Sequence, residues 1–213
     1  MLTELSIKNY ANKLASKEPA PGGGSAAALS GLLAASLMEM VINLTLGREE
    51  FAEHEEVLAS KQQILAGLHT TLEQLVDRDA AAFSGVMDAF RLPKGTDEEK
   101  SARTAAIQQG YKEAAEVPLE TARACLEVLE IGQVLLGKVN SHAGSDLVVG
   151  ALAGHTGVLG ALLNTAINLP AIKDQVYVKA LNGQIHLLKT TADELVAAIQ
   201  QSAYQEDCFC ELR

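Results

Sequence analysis

The chain has 213 residues, which is long enough for one domain with a sizeable core or for two small ones. Hydrophobic residues make up 48% of it, which argues against disorder, and the formal net charge of −10 argues against nucleic acid as a partner, because an acidic surface repels phosphate backbones. Aromatic residues are only 4% and Trp is absent, so the core must be built from Ala, Leu, Val and Ile, a composition that favours closely packed helices.

Cysteine usage and the apolar segments bear on the compartment. The three cysteines, Cys125, Cys208 and Cys210, have no CxxC spacing and are odd in number, so neither a disulfide framework nor a metal or redox role is expected. The N-terminus lacks the basic region and apolar run of a signal peptide. The most apolar stretch, residues 146–169, contains an Asp, a His and two Asn, which favours a buried helix over a membrane span. We therefore expect a cytoplasmic protein that does not act in a membrane.

The first part of the chain predicts two helices separated by a break. A helix over residues 3–16 carries its apolar side chains roughly on one face. Residues 17–25 end it, because they include two prolines and three consecutive glycines. Ser25 is predicted to cap a second helix over residues 25–46, which Gly47 ends.

The middle of the chain predicts two long helices. Thr96 and Glu99 have the spacing of a capping box, which predicts a fourth helix that reaches Leu136 and is bent or interrupted at Pro118. The third helix, over residues 49–90, is amphipathic. Its apolar stripe consists of Leu58, Leu65, Leu68, Leu72, Leu75, Val76, Phe83, Val86 and Phe90.

The last part of the chain predicts a loop over residues 137–144 and an apolar fifth helix that Ser145 caps and Pro170 ends. A sixth helix follows over residues 171–201. Long helices with short breaks, and no sustained strand alternation, predict an all-α antiparallel bundle. We expect a single domain over the whole chain, with a C-terminal tail from about residue 203.

Three consecutive glycines, Gly22, Gly23 and Gly24, directly precede the second helix. A helix N-terminus presents free backbone N–H groups and positive dipole charge, and glycines let a ligand approach the backbone, so this segment is a candidate site for a carboxylate or phosphate. No Lys-Ser or Lys-Thr follows at the spacing of a P-loop. The alternative is a tight connection between two helices.

Asp79 lies in the middle of the apolar stripe of the third helix, whereas Asp77 points roughly the opposite way and is expected to be solvated. A carboxylate on a core-facing stripe loses hydration, so its pKa should rise unless a cation or a donor compensates. A raised pKa suits general acid–base work near neutral pH, which makes Asp79 a candidate catalytic residue. The alternative is a buried Asp that caps or hydrogen-bonds a neighbouring helix.

The apolar fifth helix carries polar residues at both ends. Asn164 and Asn168 share one face near its end and need partners there, so they either bind the amide edge of a heteroaromatic ring or bridge two helices. Asp146 stands in its first turn, where an acidic residue is often only a partner of the helix dipole.

Cations and histidines give weaker signals. Lys94 and Arg103 flank the start of the fourth helix and either belong to a solvated face or contact an anionic tail of a ligand. His142, in the loop before the fifth helix, either titrates near neutral pH or is simply exposed. The remaining histidines have no metal-ligand spacing, so no metal site is predicted. They are His54, His69, His155 and His186.

Six segments taken together resemble the C-terminal family of the formiminotransferase–cyclodeaminases, which includes stand-alone methenyltetrahydrofolate cyclohydrolases. The resemblance runs from the first helix to about Val178, and the six segments occur in order at compatible spacing. In one departure, Lys138 follows Gly137 where the family usually has Asn. The segments are residues 19–28 (PAPGGGSAAA), 79–83 (DAAAF), 90–96 (FRLPKGT), 116–119 (EVPL), 145–146 (SD) and 160–169 (GALLNTAINL).

The resemblance implies an all-helical homodimer that holds a folate in a groove lined by the glycine-rich segment and Ser25. It implies that Asp79 occupies the position of the family's catalytic aspartate, and Lys94 remains a candidate contact for an anionic tail. Further residues are implied to line or support the groove. They are Ser145, Asp146, Asn164 and Asn168.

The activity implied by the resemblance is one-carbon chemistry on tetrahydrofolate, with no metal and no cofactor beyond the tetrahydrofolate substrate. A methenyltetrahydrofolate cyclohydrolase opens the methenyl ring with water to give 10-formyl-tetrahydrofolate. One alternative is a formiminotetrahydrofolate cyclodeaminase, which releases ammonia and forms the methenyl compound. Another is a helical dimer that binds folate, or only builds structure, and has lost activity. Both enzymatic reactions need a proton shuttle, a role that falls to Asp79.

Overall fold

The computed structural model describes residues 1–203, and every regular element among them is helical, which confirms the predicted all-helical class. Cys208, Cys210 and nearly all of the predicted C-terminal tail lie outside the described residues. Residues 1–203 form six α-helices: α1 (Ile7–Leu14), α2 (Gly23–Asn43), α3 (Glu55–Arg91), α4 (Asp97–Leu135), α5 (Gly144–Asn168) and α6 (Gln175–Ala203). Short 3₁₀ turns precede three of them, at Glu49–His54, Ser141–Ala143 and Leu169–Ala171.

Helices α2, α3, α4 and α5 form the centre of the bundle, and α6 covers α4 and α5. The contact between α2 and α5 is close because small residues face each other: a Cβ at Gly160 would lie 3.1 Å from Ala27, and one at Gly150 would lie 3.2 Å from Leu37. These two contacts also show that α2 and α5 run antiparallel. The buried core between the helices consists mainly of Ala, Leu, Val and Ile, as the composition predicts.

The first helix is shorter than predicted. It begins at Ile7, after Ser6, whose hydroxyl accepts a hydrogen bond from the N–H of Asn9. The residues before it turn back onto α3, where the N–H of Leu2 donates to Asp77 at 2.7 Å. The prediction that Asp77 is solvated is therefore wrong, because the N-terminal segment covers it and its second carboxylate oxygen is buried. In α1 only Tyr10 is buried.

The second helix begins at Gly23 with Gly22 as its N-cap, so the prediction that Ser25 caps it is wrong. Ser25 lies instead inside the first turn and is fully buried, and its hydroxyl donates a hydrogen bond to the carbonyl of Val76 on α3. The helix ends at Asn43, and Gly47 follows in the left-handed region with φ of +76°, where a residue without Cβ is favoured.

The fourth helix is continuous through Pro118 rather than interrupted, and its predicted capping box at Thr96 is confirmed. Proline has no N–H, so the carbonyl of Ala114, one turn earlier, lacks its intrahelical donor. The side-chain amide of Asn168 donates to this carbonyl at 3.0 Å. A side chain from α5 thus replaces the missing backbone hydrogen bond of α4.

The fifth helix begins at Gly144 with Ala143 as its N-cap, so the prediction that Ser145 is the cap is also wrong, and Ser145 is exposed. Two helices, Gly23–Asn43 and the stretch Ser141–Ala171, are long and apolar enough to cross a membrane by length and composition. Half of each window is buried in the bundle. Core helices pass the same test, so these properties alone do not assign either helix to a membrane.

Candidate active site

A pocket of about 350 Å³ opens between the start of α2, the middle of α3, the middle of α4 and the end of α5. It brings together the glycine-rich segment, Asp79 and both asparagines, which are far apart in sequence. Its apolar walls come from all four helices and from the segment before α2. The lining residues are Pro19, Ala20, Gly22, Gly23, Asp79, Ala80, Phe83, Ala114, Asn164, Ile167 and Asn168.

Asp79 meets the first turn of α2. Its carboxylate accepts hydrogen bonds from the backbone N–H and from the hydroxyl of Ser25, the latter at 3.3 Å. A Cβ at Gly24 would collide with this carboxylate, so only glycine permits the approach. The anion at the N-terminus of α2 is therefore the chain's own Asp79, which caps a neighbouring helix and lines the pocket at the same time.

Burial raises the pKa of Asp79 above its ordinary value, and the hydrogen bonds from Ser25 oppose the shift without cancelling it. The hydroxyl of Ser25 has one hydrogen, and its shorter contact, 2.8 Å, is to the carbonyl of Val76. The hydroxyl bond to the Asp79 carboxylate, at 3.3 Å, is therefore the weaker of its two contacts. This arrangement suits a group that accepts and returns a proton.

Both asparagines are held by backbone carbonyls. The amide nitrogen of Asn164 donates to Gly160 at 2.8 Å, and that of Asn168 donates to Asn164 at 2.8 Å as well as to Ala114. The bridging interpretation therefore holds for Asn168, which joins α5 to α4. The side-chain oxygens of both residues are not engaged by these bonds, so they remain acceptors for N–H groups of a ligand.

Five predicted site residues do not line this pocket, namely Gly24, Ser25, Lys94, Ser145 and Asp146. Ser145 and Asp146 stand at the opposite end of α5, roughly 28 Å from Asn164 at 1.5 Å per residue. Lys94 is exposed in the turn after α3, whose end is itself about 18 Å from Asp79. His142 is also exposed, and its backbone N–H donates to the side chain of Asn140.

Sequence reasoning missed several lining residues. Phe83 was assigned to the core stripe, but its ring lines the pocket and is 39% exposed. The signal was present, because Phe83 follows Asp79 by one helical turn and shares its face. Ile167 is 77% exposed at the rim, which its apolar surroundings in sequence did not indicate. Within residues 1–203, no group of three or more His, Cys, Asp or Glu is placed to hold a metal ion.

The sequence pattern of the formiminotransferase-cyclodeaminase family matches residues 6–186, most of the chain. The chain belongs to the formiminotransferase-cyclodeaminase family. A methenyltetrahydrofolate cyclohydrolase from Methylorubrum extorquens is 40% identical over 171 residues, covering 80% of this chain and 82% of the relative. The formimidoyltransferase-cyclodeaminase of Mus musculus is 34% identical over 201 residues, or 93% of this chain, but the match spans only 37% of that longer protein.

The fold of the family is also seen in a solved structure. The crystal structure of a formiminotetrahydrofolate cyclodeaminase from Thermotoga maritima superposes with a TM-score of 0.86, over 96% of this chain and 98% of that one. At 24% sequence identity, this similarity establishes the shared fold alone.

Proposed function

We propose that this protein is a methenyltetrahydrofolate cyclohydrolase. The observation that carries the proposal is Asp79, a carboxyl with a raised pKa that lines a mostly apolar pocket and is paired with Ser25. The relative from Methylorubrum extorquens, whose length the chain largely covers, supports the same activity.

In the proposed reaction, water attacks the methenyl carbon between N5 and N10 of the folate. Asp79 accepts a proton from this water, and a tetrahedral carbon bearing three heteroatoms forms. The bond from this carbon to N5 then breaks, Asp79 returns the proton to N5, and the hydroxyl proton leaves to solvent as the formyl group forms on N10. Holding water, carbon and carboxyl together in one pocket supplies part of the acceleration, and proton transfer supplies more.

The pocket walls suggest how the substrate lies. We place the pterin between Asp79 and the asparagines, whose free oxygens can accept its N–H groups. The ring of Phe83 then lies beside the aminobenzoyl group. Beyond it, α3 exposes Met87 and Phe90 towards the turn that carries Lys94, which can meet an anionic tail.

The second candidate is a formiminotetrahydrofolate cyclodeaminase, which the relatives of the Mus musculus type favour. Here N10 attacks the carbon of the protonated formimino group on N5 and loses its proton to Asp79. Asp79 passes this proton to the amino nitrogen, and the bond from carbon to that nitrogen breaks as ammonia leaves and the methenyl cation forms. The same carboxyl serves both reactions, because each passes through a tetrahedral carbon. We also propose that the protein works as a homodimer in the cytoplasm and needs no metal and no cofactor beyond the tetrahydrofolate substrate.

Two parallel assays with purified protein separate the candidates. Loss of methenyl-tetrahydrofolate absorbance above the uncatalysed rate, without turnover of 5-formimino-tetrahydrofolate, is the expected result for a cyclohydrolase. Ammonia release together with a rising methenyl absorbance would replace it with the cyclodeaminase. Silence in both assays from folded protein would leave a helical protein that binds folate or only builds structure.

A further inference from the structure

Three buried polar atoms without a hydrogen-bond partner occur where the N-terminal segment meets α3. They are the hydroxyl oxygens of Thr3 and Tyr10 and one carboxylate oxygen of Asp77, and we call them the N-terminal polar cluster. Within residues 1–203, only one other buried side-chain atom lacks a partner, an oxygen of Glu39 on α2. A buried polar atom without a partner costs free energy, and a buried water typically bonds to about three such atoms. The cluster is therefore a place for ordered water.

Two observations tie the cluster together and connect it to Asp79. The N–H of Leu2, the chain neighbour of Thr3, donates to the other carboxylate oxygen of Asp77 at 2.7 Å. Burial raises the pKa of the Tyr10 phenol above its ordinary value, and the negative charges of Asp79 and Asp77 raise it further. The Tyr10 hydroxyl thus lies within the electrostatic reach of both carboxylates, and near neutral pH it keeps its proton and remains a donor.

Packing accounts for the ring of Tyr10 but not for its hydroxyl. Tyr10 is the one buried residue of α1 and is 9% exposed, whereas Ile7 of the same helix is 91% exposed. The ring therefore anchors α1 on the bundle. A phenylalanine would serve as this anchor without burying an unpaired oxygen, so the hydroxyl needs a partner of its own.

The carboxylate of Asp79 has little support for its ionised form. The Ser25 hydroxyl reaches it at 3.3 Å, and the single hydrogen of that hydroxyl is shared with the carbonyl of Val76 at 2.8 Å. Burial disfavours the charge, and the donors on Ser25 oppose this effect only in part. A further donor would favour the form of Asp79 that accepts a proton.

The neighbouring charges are engaged elsewhere. Arg78, next to Asp79 on α3, donates two hydrogen bonds to Glu120 of α4, at 2.8 and 2.7 Å. The N-terminal ammonium of Met1 pairs with Glu4 at 2.7 Å. The side chains that line the pocket beside Asp79 carry no charge. They include Ala80, Phe83, Ala114, Asn164, Ile167 and Asn168.

We propose that Tyr10 is a positioning residue for Asp79, and that its hydroxyl donates to the Asp79 carboxylate through ordered water of the N-terminal polar cluster. Tyr10 does not line the pocket, so this bond reaches the carboxylate from behind. The oxygen lone pairs that face the pocket stay free. Resting on the proposed function, the bond holds Asp79 ionised and oriented towards the water that attacks the methenyl carbon.

The variant Tyr10→Phe keeps the ring and removes the hydroxyl. We expect kcat for methenyl-tetrahydrofolate to fall about three- to tenfold, the range for one hydrogen bond, with KM unchanged. The acidic limb of the kcat profile should move to higher pH, because ionised Asp79 loses a donor. The matched control is Tyr177→Phe, whose hydroxyl donates to Glu116 at 3.1 Å outside the pocket, and it should change neither. Wild-type kcat and an unmoved limb in Tyr10→Phe would overturn the proposal.

Carbon NMR of the side-chain carboxyls follows the protonation of Asp79 without substrate, and Asp79→Asn identifies its signal. The titration midpoint is expected at higher pH in Tyr10→Phe than in wild type, and at the wild-type pH in Tyr177→Phe. An equal midpoint in Tyr10→Phe and wild type would also overturn the proposal. If the midpoint moves as expected but wild type turns over no folate, the proposed function fails and the link from Tyr10 to Asp79 stands.

The variant Thr3→Val tests the ordered water, since valine has nearly the shape of threonine without its hydroxyl. A hydroxyl that holds water contributes a hydrogen bond, so its removal should lower Tm by about 2–4 °C. A hydroxyl with no partner costs stability, so its removal would raise Tm. Calorimetry distinguishes the two, and a higher Tm for Thr3→Val would overturn the water-mediated arrangement.

Discussion

The two ends of α5 differ in how their polar side chains are held. At the C-terminal end, Asn164 and Asn168 are bonded to backbone carbonyls and lie beside Asp79 in the pocket. At the N-terminal end, Ser145 is exposed, and the side chain of Asp146 makes no hydrogen bond or ion pair with any residue of the described chain, 1–203. The polar side chains at the C-terminal end of α5 are hydrogen-bonded and line the pocket. Those of Ser145 and Asp146 at the N-terminal end do neither.

This difference shows that residues matching the motifs of one family need not lie in the same pocket of a chain. The C-terminal end of α5 stabilises the bundle and also lines the pocket. The Asn168 side chain donates a hydrogen bond to the Ala114 carbonyl, which has no backbone donor because Pro118 lacks an N–H. The N-terminal end supports neither. Substitutions at the two ends should therefore have different consequences, in the following order of size.

The largest effect is expected at Asp79, the residue that the C-terminal end of α5 faces. Asp79→Asn should lower turnover by about 100-fold or more, because an amide cannot accept and return the proton. The matched control is Asp77→Asn, two residues away and outside the pocket, which should leave turnover within a few-fold. Steady-state rates with methenyl-tetrahydrofolate measure both, and equal rates for wild type and Asp79→Asn would remove Asp79 from the mechanism.

The next largest effect is expected at Gly24, whose lack of a side chain lets the Asp79 carboxylate approach the first turn of α2. Gly24→Ala should destabilise the fold by about 1–3 kcal/mol, because the new methyl group displaces the carboxylate. Gly67→Ala, at a helical glycine with open space around it, should instead stabilise by about 0.5–1 kcal/mol. Denaturant unfolding compares the two, and a neutral Gly24→Ala variant would contradict the close packing described for Asp79.

The direct comparison of the two ends uses one truncation at each. Asn168→Ala should cost about 1–3 kcal/mol of unfolding free energy, since it strands the carbonyl of Ala114. Ser145→Ala should change it by less than about 0.5 kcal/mol when measured per folded monomer, since Ser145 is exposed. Similar costs at both ends would mean that the N-terminal end has a structural role that the chain's contacts do not reveal.

A smaller effect concerns pH. The pKa of Asp79 is raised in the folded state above the ordinary 3.8, so the unfolded chain releases this proton first as pH rises. The stability that the Asp79 carboxyl contributes is therefore fully present below pH 3.8, and it is lost as the pH rises through the raised pKa of the folded state. Asp79→Asn should thus melt higher than wild type at pH 7, and the gap should close near pH 3. Calorimetry at both pH values gives the answer, and a lower melting temperature at pH 7 would show that the capping of α2 outweighs burial.

The smallest effect is expected at Lys94, which is exposed beyond the end of α3. Lys94→Ala should raise KM by about two- to fivefold and leave kcat unchanged, as loss of an exposed charge contact does. Lys179→Ala, on the exposed side of α6, is the control and should change neither constant. A fall in kcat would place Lys94 nearer to the reacting atoms than the structure does.

Local sequence signals predicted the helices and most of their breaks. The capping box at Thr96 and the turn at Gly47 were found where they were expected, because such signals act within a few residues. The predicted caps at Ser25 and Ser145 were wrong, because α2 and α5 begin before these residues. A serine near a helix start is a good cap in isolation, but Ser25 bonds to α3 instead, and that partner is 51 residues away.

The sequence by itself determined that the chain is helical, that its core is built of small and aliphatic residues, and that Asp79 faces that core, since periodicity and composition are local properties. Only the tertiary structure decided that Asp79 caps α2, that Asn168 replaces the bond lost at Pro118, and that Ser145 lies far from Asn164. Those relations depend on which helix faces which and in what register, and packing between distant segments sets both.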